Sequence, residues 1–508
     1  LVQIGGQLHL LDIGDVAPGG PAIDVRDPHV PHRRLTSVGA DYFGWSTDGR
    51  SVHWAVGSTW YRQSLQVNER GGGVEAYPVD VQLPRDVPRG TLLLRGATVV
   101  AVPGERVIDD ADVLVVDNRI SAVGRRGEVA VPAHATVRDL HGRFIVPGYI
   151  DAHDHFGDVR RGVLDLDNWG FPATLAYGVT SALDPSTLSV DMLAYQDLLD
   201  AGLCIGPRLY STGPAVFSFN EFTSPAQVED VVRRYAGHYR LTNLKEYRSG
   251  NRRVRQWIAA SAERLGMLAT TEGALDLKLD LTQVLDGYSG NEHALAATPL
   301  SRDVIELMAR SRTSYTPTLT ISHGGPPAGE QFIAREDPLH DPKVVHFFPR
   351  FAREHLFTRV HWVAPQEFAY PAVAAGAAAI QRAGGIVGVG SHGNYPGIGF
   401  HYEMQALAAG GMTPLEVLRA ATLGSAETIG RARDLGSIEP GKFADLVVLD
   451  RDPRTDVAAL RAIHEVMKNG RLYDADTLAE EWPTARTPPA RWFADEPPVA
   501  DGTGAPPD

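Results

Sequence analysis

Short β-type runs at both ends of this chain enclose a middle in which apolar runs of strand length take turns with stretches of helical period. The run 144–150, Phe-Ile-Val-Pro-Gly-Tyr-Ile, has the length and composition of a buried strand. With it as the start of a strand over 144–152, further strands are predicted near 178–183, 206–212, 241–246, 266–271, 287–293, 314–320 and 386–391. Helical stretches such as 254–265 and 372–383 separate most of them. The alternation predicts an α/β fold, a (β/α)8 TIM barrel over 146–425. Upstream, 41–55 reads as a hairpin with Asp48-Gly49 at the turn. A Gly- and Pro-punctuated linker is expected at 66–90. Residues 322–370 exceed a normal connection and are expected to form a lid or substrate loop. Residues 476–508, rich in Pro, Ala and Asp, read as a C-terminal tail or surface strap.

Composition narrows the function classes. The 508 residues suffice for a large enzyme domain with smaller additions. A net charge of −14 argues against a nucleic-acid footprint. No apolar run reaches the roughly 18–20 residues of a membrane span. The single cysteine, Cys204, excludes an internal disulfide and a cysteine-based zinc site. Histidine, at 18 residues, is the remaining nitrogen donor for a metal. The chain starts with Leu1 inside a strand-like run, so a further N-terminal segment is expected, and the compartment stays open.

The candidate chemistry gathers at predicted strand ends, where barrel enzymes place their reacting groups. His153 and His155 follow the first strand two residues apart. On a strand they share a face and can hold one cation; as loop residues they would be an exposed pair. The other strand ends carry Lys245, Glu272 after Thr270-Thr271, His293 and His392. Imidazoles, a lysine and a carboxylate together suit a divalent metal: zinc, manganese or iron. Tyr247 is a candidate substrate contact or plain strand-end packing, and His323 in the long insertion is a second candidate contact.

The segment Val-Pro-Gly-Tyr-Ile-Asp-Ala-His-Asp-His at 146–155 resembles the first barrel strand of the amidohydrolase superfamily. So does Gly436-Ser437-Ile438-Glu439-Pro440-Gly441-Lys442-Phe443-Ala444-Asp445-Leu446-Val447-Val448-Leu449-Asp450 near the other end. The resemblance implies that 91–145 and 426–475 form one composite β-sandwich beside the barrel. It implies one or two metal ions and a carbamylated Lys245; the alternative is a lysine paired with Glu246 or another acid. Two positions depart from the superfamily pattern: Thr270 stands for the strand-5 histidine and His392 for the strand-8 aspartate. Together with Leu-Lys-Glu-Tyr at 244–247, they resemble a subgroup that joins the barrel to a TolB-like β-propeller. The Phe-x-Trp-Ser-x-Asp-Gly-Arg pattern at 43–50 resembles one of its blades. Residues 1–65 are then a partial propeller whose missing blades lie upstream or in another chain, or a small β-appendage.

The activity so implied is hydrolysis of a C–N bond in an amide, small peptide or cyclic amide. Ligands would be His153, His155, Lys245, His293, Glu272 and His392, and catalysis would fall to His392, Glu272 and Lys245. The imidazolonepropionase-like and prolidase-like branches are the nearest. Alternatives are a non-hydrolytic reaction on the same scaffold, such as decarboxylation, deamination or hydration, or a degenerate binding module. Small molecules or peptides are the expected substrates, and a homo-oligomer is expected.

Overall fold

The computed structural model describes residues 1–494 apart from 5, 15–21, 25–28, 66–72, 157–163, 188–189, 218–219, 274, 322–324 and 359–360. His323 therefore lies outside the described residues.

Two antiparallel sheets begin the chain. Strands β1 (Val2–Ile4), β2 (Gln7–Leu11) and β3 (His32–Arg34) form one. β4 (Tyr42–Trp45), β5 (Ser51–Val56), β6 (Thr59–Ser64) and β7 (Val74–Pro78) form the other. The β4–β5 hairpin turns at Asp48-Gly49, where Gly49 takes φ 67° and the Asp48 side chain accepts from Ser46 Oγ at 2.6 Å. Leu8, Ala40, Val52, Trp54 and Val56 make a small shared core. These strands build no closed ring among the described residues. The linker expected at 66–90 is a shorter one, because β7 completes the second sheet. Its strand-forming Val-Glu-Ala-Tyr run is masked in sequence by the glycines before it and the prolines after it.

Next come β8 (Thr91–Val100), β9 (Val107–Val116), β10 (Arg119–Arg125), β11 (Thr136–Asp139) and β12 (Phe144–Pro147). They join strands from the far end of the chain in one nine-stranded sheet. β12 pairs antiparallel with 446–449, Ile145 opposite Val448. Leu92, Val113, Ile145, Val448 and Met467 fill one core, so both flanks are buried together.

The middle is the barrel. Its elements are β13 (Tyr149–Asp151), α1 (Gly170–Ala176), β14 (Val179–Asp184), α2 (Asp191–Asp200), β15 (Arg208–Ser211), β16 (Val216–Phe217) and α3 (Pro225–Arg233). There follow β17 (Asn243–Tyr247), α4 (Arg252–Arg264), β18 (Leu268–Glu272), α5 (Leu277–Leu285), β19 (Gly290–Glu292), α6 (Arg302–Ser311) and β20 (Ser314–Thr316). β13-β14-β15 and β16-β17-β18-β19-β20 pair in parallel throughout. Local chemistry sets the helices between them. The Asn251 side chain caps α4 by accepting from Val254 N at 3.2 Å, and Val254, Ile258 and Ala262 bury one stripe at helical spacing.

The eighth strand, expected at 386–391, is reduced to a single bridge between Val387 and Tyr315. Gly385, Gly388 and Gly390 in Gly-Gly-Ile-Val-Gly-Val-Gly leave it too few side chains for a regular strand. It still closes the barrel through backbone bonds: Tyr315 N to Ile386 O (2.9 Å), Ala152 N to Val389 O (2.8 Å) and His392 N to His153 O (2.7 Å).

The long insertion is helical, with α7 (Ala328–Glu336), α8 (Pro342–Phe347) and α9 (Arg350–Phe357). Phe332, Phe347, Phe348 and Phe357 anchor it in the main core. After it come α10 (Tyr370–Arg382), α11 (Ile398–Ala409) and α12 (Pro414–Arg419), then β21 (Leu446–Leu449), β22 (Ile463–Lys468), β23 (Arg471–Asp474) and β24 (Glu480–Trp482) of the flank sheet. The tail expected from 476 onward is instead tied down as far as Phe493. β24 pairs with β23, and Trp482 and Phe493 are buried, because a large aromatic side chain outweighs a Pro-rich context. No helix among the described residues is long and apolar enough to cross a membrane.

Candidate metal centre

His153, His155, His293 and His392 meet at the mouth of the barrel. Their ring centroids lie 4.9 Å (His153–His155), 4.8 Å (His153–His293), 5.1 Å (His153–His392) and 4.5 Å (His155–His392) apart. One ligand atom each from His153, His293 and His392 falls within 4.8 Å of the others.

Each ring turns its Nδ1 to an oxygen. His153 Nδ1 lies 2.7 Å from Glu292 Oε2, His155 Nδ1 3.0 Å from Asp184 Oδ1, His293 Nδ1 2.6 Å from Thr318 Oγ1 and His392 Nδ1 3.4 Å from Asn394 Oδ1. Thr318 Oγ1 donates to the Pro317 carbonyl at 2.8 Å, so it accepts from His293. With Nδ1–H donated outward, the Nε2 atoms of His153 and His155 are left as lone pairs facing inward, while His293 Nε2 lies beside Glu272. His153 Nε2 and His155 Nε2 face each other at 3.2 Å. Two acceptors at that distance repel unless a cation or a proton lies between them. Metal-binding histidines are oriented in this way, the outer nitrogen held by a carboxylate or a hydroxyl.

The electrostatics favour the neutral imidazole at His153 and His392. Burial, then Lys245 and the neighbouring rings, hold His153 well below the usual histidine range. Burial and the same neighbours push His392 down to about 2. Burial would raise Glu272, but Lys245 and His293 overcome it and hold the carboxyl at about 2. Lys245 Nζ is 2.8 Å and His293 Nε2 3.2 Å from Glu272 Oε2. The acid beside Lys245 is thus Glu272 rather than Glu246, which bonds Thr271, Gln283 and Ser249 N on the far side of the strand. The Tyr247 hydroxyl hydrogen-bonds Glu272, and the Glu272 charge, with burial, raises it. Thr270, where a histidine was the superfamily expectation, donates to Glu292 Oε1 at 2.6 Å.

Two residues reach the site by leaving regular backbone. His293 has φ 69° and His392 φ 62°, both in the left-handed region that costs a non-glycine residue roughly 1–3 kcal/mol. The turn at His293 brings it and its neighbour Glu292 to the same ring of histidines, although consecutive strand residues face opposite ways. Strand alternation therefore hid Glu292. Asp184 ends β14 in the segment Asp-Pro-Ser-Thr, and its place in the chain alone does not show that it meets His155.

A cavity of about 360 Å³ opens beside His155. Phe156, Trp169, Phe351 and Leu356 give it apolar walls, and Asn168, His355 and Asn394 give it polar edges. Of the histidines in the insertion, His355 lines this cavity, while His340 and His361 pair with Asp337 and Glu330.

Residues 257–473 match the amidohydrolase family. The match supports a place for this chain in the amidohydrolase superfamily. Ochratoxinase of Aspergillus niger is 24% identical over 472 residues, covering 82% of this chain and 95% of that protein. Adenine deaminase of Deinococcus deserti is 34% identical over 139 residues, 27% of this chain and 24% of that protein. The chain thus spans about a quarter of the adenine deaminase it matches. Among amidohydrolase-type structures, a Xaa-Pro dipeptidase with bound methionine superposes with TM-score 0.58 at 18% identity, over 76% of this chain and 100% of that one. Molinate hydrolase gives TM-score 0.60 at 20% identity, over 77% and 96%. At these identities the likeness is one of fold, an α/β architecture consistent with a TIM barrel.

Proposed function

We propose that this chain is a metal-dependent amidohydrolase that cleaves a C–N bond in a small amide, a peptide or a cyclic amide. The observation that carries the reading is the convergence of four histidines, each with its Nδ1 held by an oxygen, and the bare approach of His153 Nε2 to His155 Nε2 at 3.2 Å.

His153, His155, His293 and His392 would hold the metal, and zinc suits this nitrogen-rich donor set best. Bound there, a divalent ion lowers the pKa of a water molecule and polarises a scissile carbonyl. Glu292 and Asp184 keep the His153 and His155 rings in the tautomer that presents Nε2. His392 stands as a nitrogen donor, since its neighbours disfavour the imidazolium. A Glu272 carboxylate oxygen takes the proton from the attacking water. As a weak base it passes that proton on to the leaving nitrogen, a stronger one. Lys245 belongs to the same group: carbamylated, it supplies a carboxylate for a second ion; as an ammonium it keeps its pair with Glu272 and the site holds one. Tyr247, hydrogen-bonded to Glu272, stands where a substrate would meet that carboxylate.

The apolar cavity beside His155 favours substrates with an apolar group next to the scissile bond. Deamination is the second reading, favoured by the similarity to adenine deaminase over 139 residues. Residues 1–78 we read as propeller-type sheets completed by further blades, and the whole as part of a homo-oligomer. The test is metal-reconstituted protein on a panel of dipeptides, lactams and aminopurines, with metal content measured in parallel. Full activity after chelation, or in His153→Ala, would overturn the reading.

A further inference from the structure

A second cavity, of about 300 Å³, lies away from the histidines, between α1, the end of α2, the flank sheet and the strap 486–491. Phe171, Leu199, Tyr473 and Leu478 give it apolar walls. Lys468, Arg471, Arg486 and Arg491 are its cations, and Asp86, Asp167 and Glu480 its carboxylates.

Neither Lys468 nor Arg491 is in an ion pair within 4.0 Å among the described residues, although the charge of Asp167, on the same lining, acts on Arg491. Lys468 is 9% exposed, and the one hydrogen bond of its Nζ is a long one, 3.5 Å to the Leu199 carbonyl. The carboxylates around it are engaged elsewhere: Asp86 by Arg471 at 2.5 Å, Asp445 by Asn469 N at 2.6 Å and Arg208 at 3.4 Å, Asp200 by Arg85 at 3.4 Å. Glu480, on the same wall, is taken by Arg471 at 2.5 Å and Arg486 at 3.1 Å. Arg491 stacks over Phe347, 5.2 Å from the ring centroid, and its buried Nε has no hydrogen-bond partner. Burial, then Arg208, lowers Lys468 to about 8, which leaves it cationic at neutral pH. A buried cation without a counter-ion is costly, and an anion that fits beside it recovers that cost.

We propose that this cavity is a binding site for a small amphipathic monocarboxylate, its carboxylate on Lys468 and Arg491 and its apolar body against Phe171, Leu199 and Tyr473. The mixed lining selects the class: a bare inorganic anion would leave the apolar walls wet, and a neutral apolar molecule would leave the lysine unpaired. The site does not depend on the metal centre. Asn168 borders both cavities, which gives the two ligands a shared wall.

The test is calorimetric titration of the metal-loaded full chain with 3-phenylpropionate and, as the neutral control, 3-phenylpropan-1-ol. We expect one molecule of the acid bound per chain and no binding of the alcohol. In Lys468→Met the acid should bind about tenfold or more weakly, the scale of a lost charged hydrogen bond. The independent readout, which needs no variant, is acetylation of wild-type lysines followed by mass spectrometry: the acid, and not the alcohol, should slow modification of Lys468. No binding of the acid, equal binding of acid and alcohol, equal affinity in Lys468→Met, or unprotected Lys468 would each overturn the proposal.

Discussion

His153 Nδ1 lies 2.7 Å from Glu292 Oε2, across 139 residues of sequence, joining the segment after β13 to the end of β19. The carboxylate fixes which nitrogen of His153 carries the proton and so which faces the ring of histidines. Thr270 fixes the carboxylate in turn, from the neighbouring strand β18.

Glu292→Ala removes that hold without touching a proposed ligand. We expect metal affinity to fall by roughly 10–100-fold, the usual effect of losing such a partner, with the fold retained. Competition of the variant and wild type against a chromophoric chelator measures it. Unchanged affinity would mean that Glu292 does not orient His153.

Lys245→Ala separates the one-ion and two-ion sites. A dication beside a bare ammonium is disfavoured by about 8 kcal/mol at 4 Å and an effective dielectric near 20, twice the value for two unit charges. With a carbamylated lysine in wild type, elemental analysis should show the variant losing one ion per chain, together with activity. Equal metal content in both proteins would place Lys245 in its ion pair with Glu272.

His401 is buried on α11 and donates from Nε2 to the Tyr177 carbonyl at 2.9 Å. Burial, then Arg461, lowers it to about 3. The unfolded chain takes up its proton near 6.5 and the folded chain does not until about 3, so stability falls as pH drops through that window. Between pH 7 and pH 5 this one group should cost about 2 kcal/mol. His401→Gln keeps the donor and loses the titration. Denaturant unfolding at the two pH values should therefore show a loss smaller by that amount in the variant, and an identical loss would refute the assignment.

Gly393 takes φ 72°, and a Cβ there would come within 2.2 Å of the His155 backbone oxygen and 2.6 Å of Asp154 Oδ1. Gly393→Ala must push His392 or the 153–155 segment aside. Activity and metal content should both fall sharply, with a smaller loss of overall stability, since the collision is confined to the mouth. A crystal structure of the variant with the histidines unmoved would contradict this.

Much of this protein is local and was legible in the chain. The helical stripe of α4, the Asp48-Gly49 hairpin, and the apolar runs of β12 and β21 follow from side-chain period and turn chemistry within about fifteen residues. The motif around 143–155 also declared the kind of chemistry, because two histidines two residues apart at a strand exit suit a cation.

The tertiary structure decided what those local rules do not contain. It set Asp184 against His155 and Glu292 against His153, and turned His293 out of its strand by a left-handed φ, against the alternation that a regular strand would impose. It also cut the eighth strand to one bridge and buried Trp482 and Phe493 in a stretch that reads as a tail. Lys468 and Arg491 became neighbours of one cavity only when the flank sheet and the strap packed together. The reason is physical: periodicity is set by the backbone of a few consecutive residues, whereas the partner of a buried polar group is whichever side chain packing delivers to it from any distance along the chain.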